Sequence, residues 1–387
     1  MKQRTALVVE QSGGVGGAGA SLEALVSQPA QLSGYRLVIA FTTSGPLVER
    51  LKRQGLTVTV IPAQGWRWWP ESGVEMLKFL PTLPRQIRSL FRWVLFLRES
   101  RPDLVHLNDS RLVEPLLAAR MLRRPLLVHF RTIPSTASLR FIFGQRVFYR
   151  LMNLADRWIA NSAATAADIQ PHAKVHVETV PNGIDLEAFD RRSAEAWRLV
   201  KPRRHRVAMI ALLNRGKRFE QFLDVARLVL HDRQDVMFSI AGVGDATYTA
   251  DLKAKCRTLE LESHVEFLGH VDNVPAFLDT VDILLHTMDP EPFGRVFLEA
   301  MAARKPVVAF RSGGAAEIVL DGETGILVAS GEIATMAEAV GRLLAEPDMR
   351  ARLGLAARHR VESSYSVERY RSAVLAEYDN VLSGRAH

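Results

Sequence analysis

The stretch that decides the fold runs from Val281 to Gly325 and reads VDILLHTMDPEPFGRVFLEAMAARKPVVAFRSGGAAEIVLDGETG. Val281 to Thr287 is an apolar run of strand length, and an acidic, proline-rich turn follows it. Gly294 opens a helix that stops before Lys305-Pro306, because a proline biases the preceding residue away from helical backbone. Val307 to Phe310 is a second buried strand. Two successive strand-to-helix crossovers predict a parallel sheet, whose ligand crevice lies beyond the carboxyl ends of its strands.

The turns of this stretch carry groups that suit a sugar nucleotide. Glu291 precedes the helix and Glu299 lies within it, a separation too large for the two carboxylates to share one proton. Each carboxylate can instead accept hydrogen bonds from neighbouring hydroxyls of a sugar or a ribose. Gly313-Gly314 opens the next helix, where outward-pointing amides favour an anion such as a diphosphate. A surface acid beside a helix cap is the alternative interpretation of any one of these residues.

The ordered motifs of the stretch resemble those of a known enzyme family. E-P-F-G-x-x-x-x-E, followed by PVVA, GG-x-x-E-I-V and D-G-x-T-G-x-L-V, is similar to the pattern of the retaining glycosyltransferases of family GT4. The resemblance implies the α/β fold called GT-B, in which two Rossmann-like parallel-sheet domains face each other across a cleft. It also implies transfer of a sugar from a nucleotide-diphosphate donor to a hydroxyl of a glycan or lipid-linked acceptor, as in the synthesis of cell-envelope polysaccharides.

Composition bounds the remaining classes of function. The chain has 387 residues, enough for two domains, and one cysteine, Cys256, which excludes an internal disulfide framework and fits a reducing compartment. No apolar run approaches the roughly 20 residues of a membrane span, and the first residues lack the apolar core of a signal peptide. The net charge of +8 suits nucleic acid, anionic lipid or a phosphorylated substrate. Because no nucleic-acid module is recognisable, we expect a cytoplasmic protein that binds no nucleic acid.

We predict four segments along the chain. Residues 1–190 form an N-terminal Rossmann-like acceptor-binding domain, and residues 191–205, which are charged and lack strand periodicity, form a hinge. Residues 206–365 form a C-terminal Rossmann-like domain that binds the nucleotide sugar. The resemblance implies that a last helix, residues 366–387, crosses back to the first domain.

A glycine-rich turn follows the first predicted strand. Gly14, Gly16 and Gly19 spell G-x-G-x-x-G in the strand-turn-helix context of a dinucleotide site. The next strand ends at Phe41 to Ser44 without the acidic residue that an NAD ribose requires, which disfavours NAD. In enzymes of the resembling family, such a turn lets backbone approach the donor diphosphate and the acceptor, a role that would fall to Gly14, Gly16 and Gly17. A tight turn without ligand is the alternative.

Other candidates lie at strand ends. The resemblance implies that His129 faces the cleft and donates a hydrogen bond to the sugar or to the departing diphosphate, whereas a satisfied strand-end histidine is the alternative. Lys217 matches the lysine that clamps the diphosphate in similar enzymes, with a solvated surface lysine as the alternative. The place of the partner arginine holds Leu212, and Arg215 can substitute because a guanidinium offers two donors. Gly242 marks another close-approach turn.

The resemblance implies a mechanism in which Lys217, Arg215 and the amides at Gly313-Gly314 stabilise the charge of the leaving diphosphate. These groups would replace a divalent metal, and no His/Cys cluster has metal-ligand spacing, so we expect no metal or other cofactor. Glu291 and nearby backbone would hold the sugar hydroxyls, and Glu299 the ribose. The implied catalytic residues are His129, Lys217 and Glu291, and the implied donor-binding residues are Arg215, Lys217, Gly242, Phe293, Gly294, Glu299, Gly313 and Gly314.

Several alternatives stay open at this point. A sugar-nucleotide epimerase on the same fold would need an acid/base pair acting on the sugar and no acceptor. A non-catalytic relative would bind a partner, although the intact Lys217, Glu291 and Glu299 argue against loss of activity. Similar enzymes line the nucleobase with backbone groups, so both UDP- and GDP-linked donors remain candidates.

A basic aromatic segment from Trp66 to Arg101 predicts docking on a membrane. Within it, Ile87, Leu90, Phe91, Val94 and Leu95 share one helical face, and an arginine stripe occupies the opposite face. Aromatic rings beside arginines suit a membrane interface. We therefore expect peripheral contact with an anionic bilayer, on the cytoplasmic face, through Trp68, Trp69, Arg85, Arg88, Arg92 and Trp93. A helix packed on the sheet with a solvated basic face is the alternative.

Overall fold

The computed structural model describes residues 3–14, 16–27, 34–63, 83–135, 142–195 and 204–384. The chain divides into two compact units, of which the first comprises Met1–Asn182 with Glu368–His387 and the second comprises Gly183–Val367. They are called the first and the second domain below. Both alternate strands and helices around a parallel sheet.

The sheet of the first domain has seven strands among the described residues, and every pair of neighbours is parallel. The strands run in the order β3-β2-β1-β4-β5-β6-β7. The chain therefore changes direction across the sheet between β1 and β4, and such a switch point opens a crevice at the carboxyl ends of the strands. The strands are β1 (Arg4–Glu10), β2 (Tyr35–Phe41), β3 (Val58–Val60), β4 (Leu104–Leu107), β5 (Leu126–Phe130), β6 (Arg157–Ala160) and β7 (His176–Thr179).

The sheet of the second domain has six parallel strands among the described residues, in the order β10-β9-β8-β11-β12-β13. Its switch point lies between β8 and β11, which pair in parallel. The apolar run after Val281 forms β11, and the strand predicted from Val307 to Phe310 has those bounds. The strands are β8 (His205–Ile210), β9 (Val236–Ala241), β10 (Val265–Gly269), β11 (Ile283–His286), β12 (Val307–Phe310) and β13 (Gly325–Val328).

Helices connect the strands of both sheets. In chain order they are α1 (Gly17–Val26), α2 (Pro46–Arg53), α3 (Leu83–Ser100), α4 (Val113–Met121), α5 (Ile142–Met152), α6 (Ala163–Ile169), α7 (Leu186–Ser193), α8 (Phe219–Asp232), α9 (Ala246–Thr258), α10 (Val274–Asp279), α11 (Arg295–Ala302), α12 (Ala315–Ile318), α13 (Ile333–Ala345), α14 (Pro347–Ser364) and α15 (Val367–Ser383). No helix of the described residues is long and apolar enough to span a bilayer.

The boundary between the domains lies earlier than we predicted. Helix α7 belongs to the second domain, because Phe189 is buried with Ile184 and Phe277 in its core. Residues 183–190 are therefore not part of the first domain. Of the predicted hinge, residues 196–203 lie outside the described part of the chain. Helix α15 packs on the first domain, where Glu377 accepts a 2.6 Å hydrogen bond from Arg157.

Helix α3 turns a different side to the sheet than we predicted. Trp93 and Leu97 are fully buried in the core of the first domain, whereas Ile87, Phe91 and Leu95 are 64%, 62% and 50% exposed. The expectation that Trp93 contacts a membrane is therefore wrong. Apolar residues occupy more of this helix than one sheet can cover, and the large indole takes the position against the sheet.

Of the other residues predicted to contact a membrane, the structure describes the three arginines and not the two tryptophans. Arg85, Arg88 and Arg92 are exposed on α3. Trp68 and Trp69 lie outside the described residues.

Candidate active site

Two turns of the second domain meet at the carboxyl ends of β8 and β11, where the strand order reverses. The turn after β11 contributes Thr287, whose hydroxyl donates a 2.9 Å hydrogen bond to the carbonyl of Arg218. Arg218 in turn pairs with Asp289 at 3.3 Å, and Lys217 pairs with Glu291 at 2.8 Å. The predicted lysine and the predicted glutamate, 74 residues apart in sequence, are thus in direct contact.

A histidine joins this pair. His286, the last residue of β11, places its Nε2 atom 2.9 Å from Oε2 of Glu291, the oxygen that also accepts from Lys217 Nζ. Burial opposes the charge of Glu291, but the Lys217 ammonium and the His286 hydrogen bond outweigh it and hold the pKa of the carboxyl below its usual value. Burial also lowers the pKa of His286. Glu291 is therefore a carboxylate and His286 a neutral imidazole at neutral pH.

The glycines after β12 act by close packing. A Cβ on Gly313 would lie 2.1 Å from the carbonyl oxygen of Glu291, and one on Gly314 would lie 2.4 Å from Cα of Phe293. The amide of Gly314 donates a 2.7 Å hydrogen bond to that same Glu291 carbonyl. The expectation that this amide is free for a diphosphate is therefore wrong, since the turn of Glu291 already occupies it. The glycine pair fixes the backbone that presents Glu291.

The turn between Glu291 and α11 is shaped by aromatic packing. Gly294 has φ of 88° and caps α11, and a Cβ there would lie 2.2 Å from the ring of Phe297. Phe293 is buried and contacts Tyr365 edge-on, with ring centroids 6.4 Å apart. Only glycine tolerates both the left-handed backbone and the neighbouring ring. The predicted backbone contacts of Phe293 and Gly294 with the sugar remain a prediction.

The second glutamate of the motif lies one helical turn from an arginine. Glu299 pairs with Arg295 at 3.4 Å, and Arg295 also donates a 3.1 Å hydrogen bond to the carbonyl of Gly183. Burial raises the pKa of Glu299, and Arg295 opposes that shift. Arg295, which sequence reasoning passed over, therefore orients Glu299. The contact between Glu299 and a ribose remains a prediction.

The structure gives Arg215 and Gly242, the two remaining donor-binding candidates, contacts within the protein itself. Arg215 is 69% exposed on its side chain, and its guanidinium pairs with Asp251 at 2.6 Å and lies 5.3 Å from the centre of the Tyr248 ring. It makes no ion pair with Glu291. Gly242 has φ of 147°, and a Cβ there would lie 1.9 Å from the carbonyl oxygen of Ala211. Packing between the ends of β8 and β9 is thus sufficient to require Gly242.

His129 lies inside the first domain. Its ring is fully buried and stacks on His106, with centroids 5.6 Å apart, and neither ring nitrogen has a partner among the described residues. Burial holds the pKa of His129 well below its usual value and lowers that of His106 to about 3. This corrects the expectation that His129 faces a cleft, because β5 is buried on both sides.

Polar side chains that we did not predict line the strand ends of the first domain. Arg131, just beyond β5, donates hydrogen bonds to Asn108, Asn182 and the Tyr370 hydroxyl, the last at 2.8 Å. Asn108, just beyond β4, donates to Glu10 at the end of β1. Burial raises the pKa of Glu10 to about 7. A polar residue directly after an apolar strand was the available signal.

The glycine-rich turn before α1 is crowded at Gly13. A Cβ on Gly13 would lie 2.6 Å from the carbonyl oxygen of Thr43, whereas Gly17 has no atom within 4 Å of a Cβ. Gly14 donates a 3.1 Å hydrogen bond to the Ser12 hydroxyl, and Gly16 caps α1. Packing thus explains Gly13, and ligand approach at Gly14, Gly16 and Gly17 remains a prediction.

Two Rossmann-like domains, each built on a parallel sheet, agree with the fold of the GT-B glycosyltransferases. The crystal structure of Anabaena Alr3699/HepE in complex with UDP-glucose superimposes with a TM-score of 0.82 at 26% identity, covering 97% of this chain and 99% of that one. Residues 15–188 match the model of Glycosyltransferase Family 4, and residues 192–360 match that of Glycosyl transferases group 1. The chain belongs to glycosyltransferase family 4, which confirms the predicted family and fold.

Two of the relatives of this chain are mannosyltransferases. The lipopolysaccharide core biosynthesis mannosyltransferase LpsB of Rhizobium meliloti is 29% identical over 318 residues, which cover 78% of this chain and 88% of that protein. The GDP-mannose-dependent alpha-(1-6)-phosphatidylinositol monomannoside mannosyltransferase of Mycolicibacterium smegmatis is 38% identical over 156 residues, 38% of this chain and 40% of that protein.

Proposed function

We propose that this protein is a retaining glycosyltransferase that moves a sugar from a UDP- or GDP-linked donor to a hydroxyl of a glycan or lipid-linked acceptor. The observation that carries the proposal is the contact of Lys217 and Glu291 at the switch point of the second sheet. An ammonium suits a diphosphate, and a carboxylate suits sugar hydroxyls. A group that suits the diphosphate and a group that suits the sugar hydroxyls therefore lie 2.8 Å apart.

The reaction needs the negative charge of the leaving diphosphate to be stabilised. Lys217 supplies a cation at that point, and such preorganised charge is usually a large part of catalysis. We propose that the reaction proceeds without a divalent metal. Lys217 supports this proposal, because its ammonium can supply positive charge to the leaving diphosphate. Among the described residues, no group of three His, Cys, Asp or Glu side chains could hold a metal ion. Full transfer in excess EDTA is the expected result.

A role in the synthesis of cell-envelope polysaccharide or glycoconjugate is supported by relatives of two kinds. LpsB acts in lipopolysaccharide core biosynthesis, and the mycobacterial relative uses GDP-mannose on a phosphatidylinositol mannoside. Anabaena Alr3699/HepE binds UDP-glucose. These names favour transfer over epimerisation and over a non-catalytic role. They leave UDP and GDP as the two donor nucleotides to be tested.

We further propose that helix α3 docks on an anionic phospholipid bilayer, on its cytoplasmic face. Ile87, Phe91 and Leu95 lie four residues apart and are at least half exposed, so they form one continuous apolar line along the helix. The exposed Arg88 and Arg92 follow two of them in sequence. Apolar side chains flanked by arginines match the boundary between acyl chains and anionic headgroups. This surface replaces the one that we predicted around Trp93.

Vesicle sedimentation tests the docking surface. The wild-type protein should sediment with phosphatidylglycerol-containing vesicles at low salt and stay in solution with phosphatidylcholine alone. The triple variant Ile87→Ser, Phe91→Ser, Leu95→Ser should lose this binding, whereas Leu355→Ser, which removes an equally exposed leucine from the second domain, should keep it. Equal binding by the triple variant would refute the surface. The face would instead bind a second copy of the chain if the wild-type protein does not bind vesicles and forms a dimer that the triple substitution converts to a monomer.

The transferase proposal is tested by donor turnover. The purified protein is incubated with UDP- and GDP-sugars and a bacterial lipid extract, and the release of nucleoside diphosphate and the anomeric configuration of the product are measured. We expect release with one nucleotide family, dependent on the extract, and a product that keeps the donor's configuration. A converted nucleotide sugar without acceptor would favour an epimerase, and no turnover with either family would favour a non-catalytic protein.

A further inference from the structure

His286 is a histidine of the site to which the proposed reaction has so far given no role. It ends β11, and its side chain is 1% exposed. The ring lies edge-on to Phe297, with centroids 5.1 Å apart, so packing fixes its orientation. Nε2 hydrogen-bonds Glu291, whereas Nδ1 has no partner among the described residues. Among the described residues, the ring therefore makes one hydrogen bond, to Glu291.

Glu291 receives two donors on one of its oxygens. Lys217 Nζ lies 2.8 Å and His286 Nε2 lies 2.9 Å from Oε2. Within the described part of the chain no hydrogen bond to Oε1 is present. Since each carboxylate oxygen can accept two hydrogen bonds, this arrangement leaves Oε1 to a ligand. Oε2 thus contacts protein donors, and Oε1 is the oxygen that remains for a ligand hydroxyl.

A bound substrate would affect the two hydrogen-bond donors of Glu291, Lys217 and His286, in different ways. Lys217 carries the charge that the proposed function assigns to the donor diphosphate, so the diphosphate competes with Glu291 for the ammonium. His286 is fully buried behind Glu291 and has no such second partner. Its neutral ring offers one N–H, and a buried neutral imidazole keeps that role over a wide pH range.

We propose that His286 is a positioning residue, whose Nε2–H holds Oε2 of Glu291 while Lys217 turns to the donor diphosphate, so that Oε1 stays in place for a sugar hydroxyl. This inference rests on the proposed function. It assigns Lys217 to the nucleotide half of the donor and the His286-Glu291 pair to the sugar half. Loss of His286 should therefore affect the sugar and spare the nucleotide.

The experiment compares His286→Phe, His286→Gln and His286→Asn with the wild type. For each variant, kcat and KM for the nucleotide sugar and the Kd of the bare nucleoside diphosphate are measured. We expect His286→Phe to lose about 100-fold in kcat/KM, since a displaced reacting group has that order of effect, with the Kd of the bare nucleotide unchanged. His286→Gln, whose amide can reach and donate, should recover most of the activity, whereas the shorter His286→Asn should not. His231→Gln, an exposed histidine of the same domain, is the control.

Two results would overturn the inference. One is wild-type kcat/KM in a folded His286→Phe. The other is parallel loss of transfer and nucleotide binding in both His286→Phe and His286→Asn, which would indicate general damage. If His286→Phe does not fold, the contrast between glutamine and asparagine decides. A wild-type protein without donor turnover overturns the proposed function itself, which separates that failure from this one.

Discussion

At the scale of the residue, the Glu291 carboxylate is held by a cation and a neutral donor on the same oxygen. Its lowered pKa keeps it ionised through the neutral range, so pH changes between 5 and 9, about the usual assay range, should not titrate it. The glutamate is therefore suited to accept hydrogen bonds from hydroxyls and unsuited to deliver a proton. This agrees with a binding role for Glu291 in sugar transfer.

Replacing this carboxylate by an amide tests that role. We expect Glu291→Gln to fold and to lower kcat about 100- to 1,000-fold, the usual cost of one preorganised charge or donor in a site. Enzyme kinetics with the identified donor measures the loss. Glu323→Gln, an exposed carboxylate of the same domain, should behave as wild type. Unchanged kcat in Glu291→Gln would remove Glu291 from the site.

The buried His129 provides the opposite prediction. Because its ring is inside the first domain and no atom is exposed, His129→Leu should retain transfer close to the wild-type rate. Leucine fills a similar volume and has no polar atoms to desolvate. The kinetic assay used for Glu291→Gln provides the measurement. A loss as large as that of Glu291→Gln would restore His129 as a catalytic residue and contradict the burial argument.

At the scale of the element, two turns are fitted together by glycine. Gly313 combines φ of 55° with a Cβ position 2.1 Å from the Glu291 carbonyl oxygen. The loop after β12 can therefore approach the loop after β11 only when this side chain is absent. The strand order brings these loops side by side, since β11 and β12 pair in parallel. Both glycines thus contribute to the packing of the turns, and the Gly314 amide donates to the Glu291 carbonyl.

Gly313→Ala should destabilise the second domain. Left-handed backbone and a close contact together should lower the free energy of unfolding by roughly 2–5 kcal/mol. Urea denaturation gives the value. Gly341→Ala, in α13 with no atom near its Cβ, is the matched control and should raise that free energy by roughly 0.5–1 kcal/mol. Equal effects of the two substitutions would mean that the turns do not need glycine.

Sequence patterns predicted the elements well where a strand was uniformly apolar. The strand Val307–Phe310, with the sequence VVAF, has the predicted bounds. The same uniformity hides which side of a strand faces which neighbour, so the burial of His129 could not be predicted. Helix α3 carries apolar residues on more than one side, and its sequence therefore did not determine that Trp93 would face the sheet.

The candidate site was predictable in part, for a related reason. Lys217 and Glu291 were identified by motif and meet in the structure. His286 and Arg295, which orient the two glutamates, have no motif of their own and emerge only from contact. The use of the Gly314 amide by the Glu291 carbonyl is likewise a tertiary feature.

At the scale of the whole molecule, buried neutral histidines couple stability to pH. The pKa values of His106 and His129 are lowered from 6.5 by burial. Below pH 6.5 the unfolded chain binds protons that the folded chain does not, so their contribution to stability is present above about pH 6.5 and is lost as the pH falls. Each of the two should remove about 1.4 kcal/mol per pH unit in that range.

Urea denaturation between pH 7 and pH 5, about the span of this titration, tests the coupling. The free energy of unfolding of the first domain should fall less steeply in His129→Leu than in wild type, by the contribution of one histidine. His231→Leu, which removes an exposed histidine, should leave the slope unchanged. An identical slope in wild type and His129→Leu would show that His129 is not held neutral by burial.

The central claim is that Lys217 and Glu291 form the donor site, and calorimetric binding of UDP and GDP in EDTA tests it most directly. We predict that one of the two nucleotides binds the wild-type protein without metal. Lys217→Gln should weaken that binding about 10- to 100-fold, the effect expected of one charged hydrogen bond. Binding of neither nucleotide, or equal affinity in wild type and Lys217→Gln, would contradict the account.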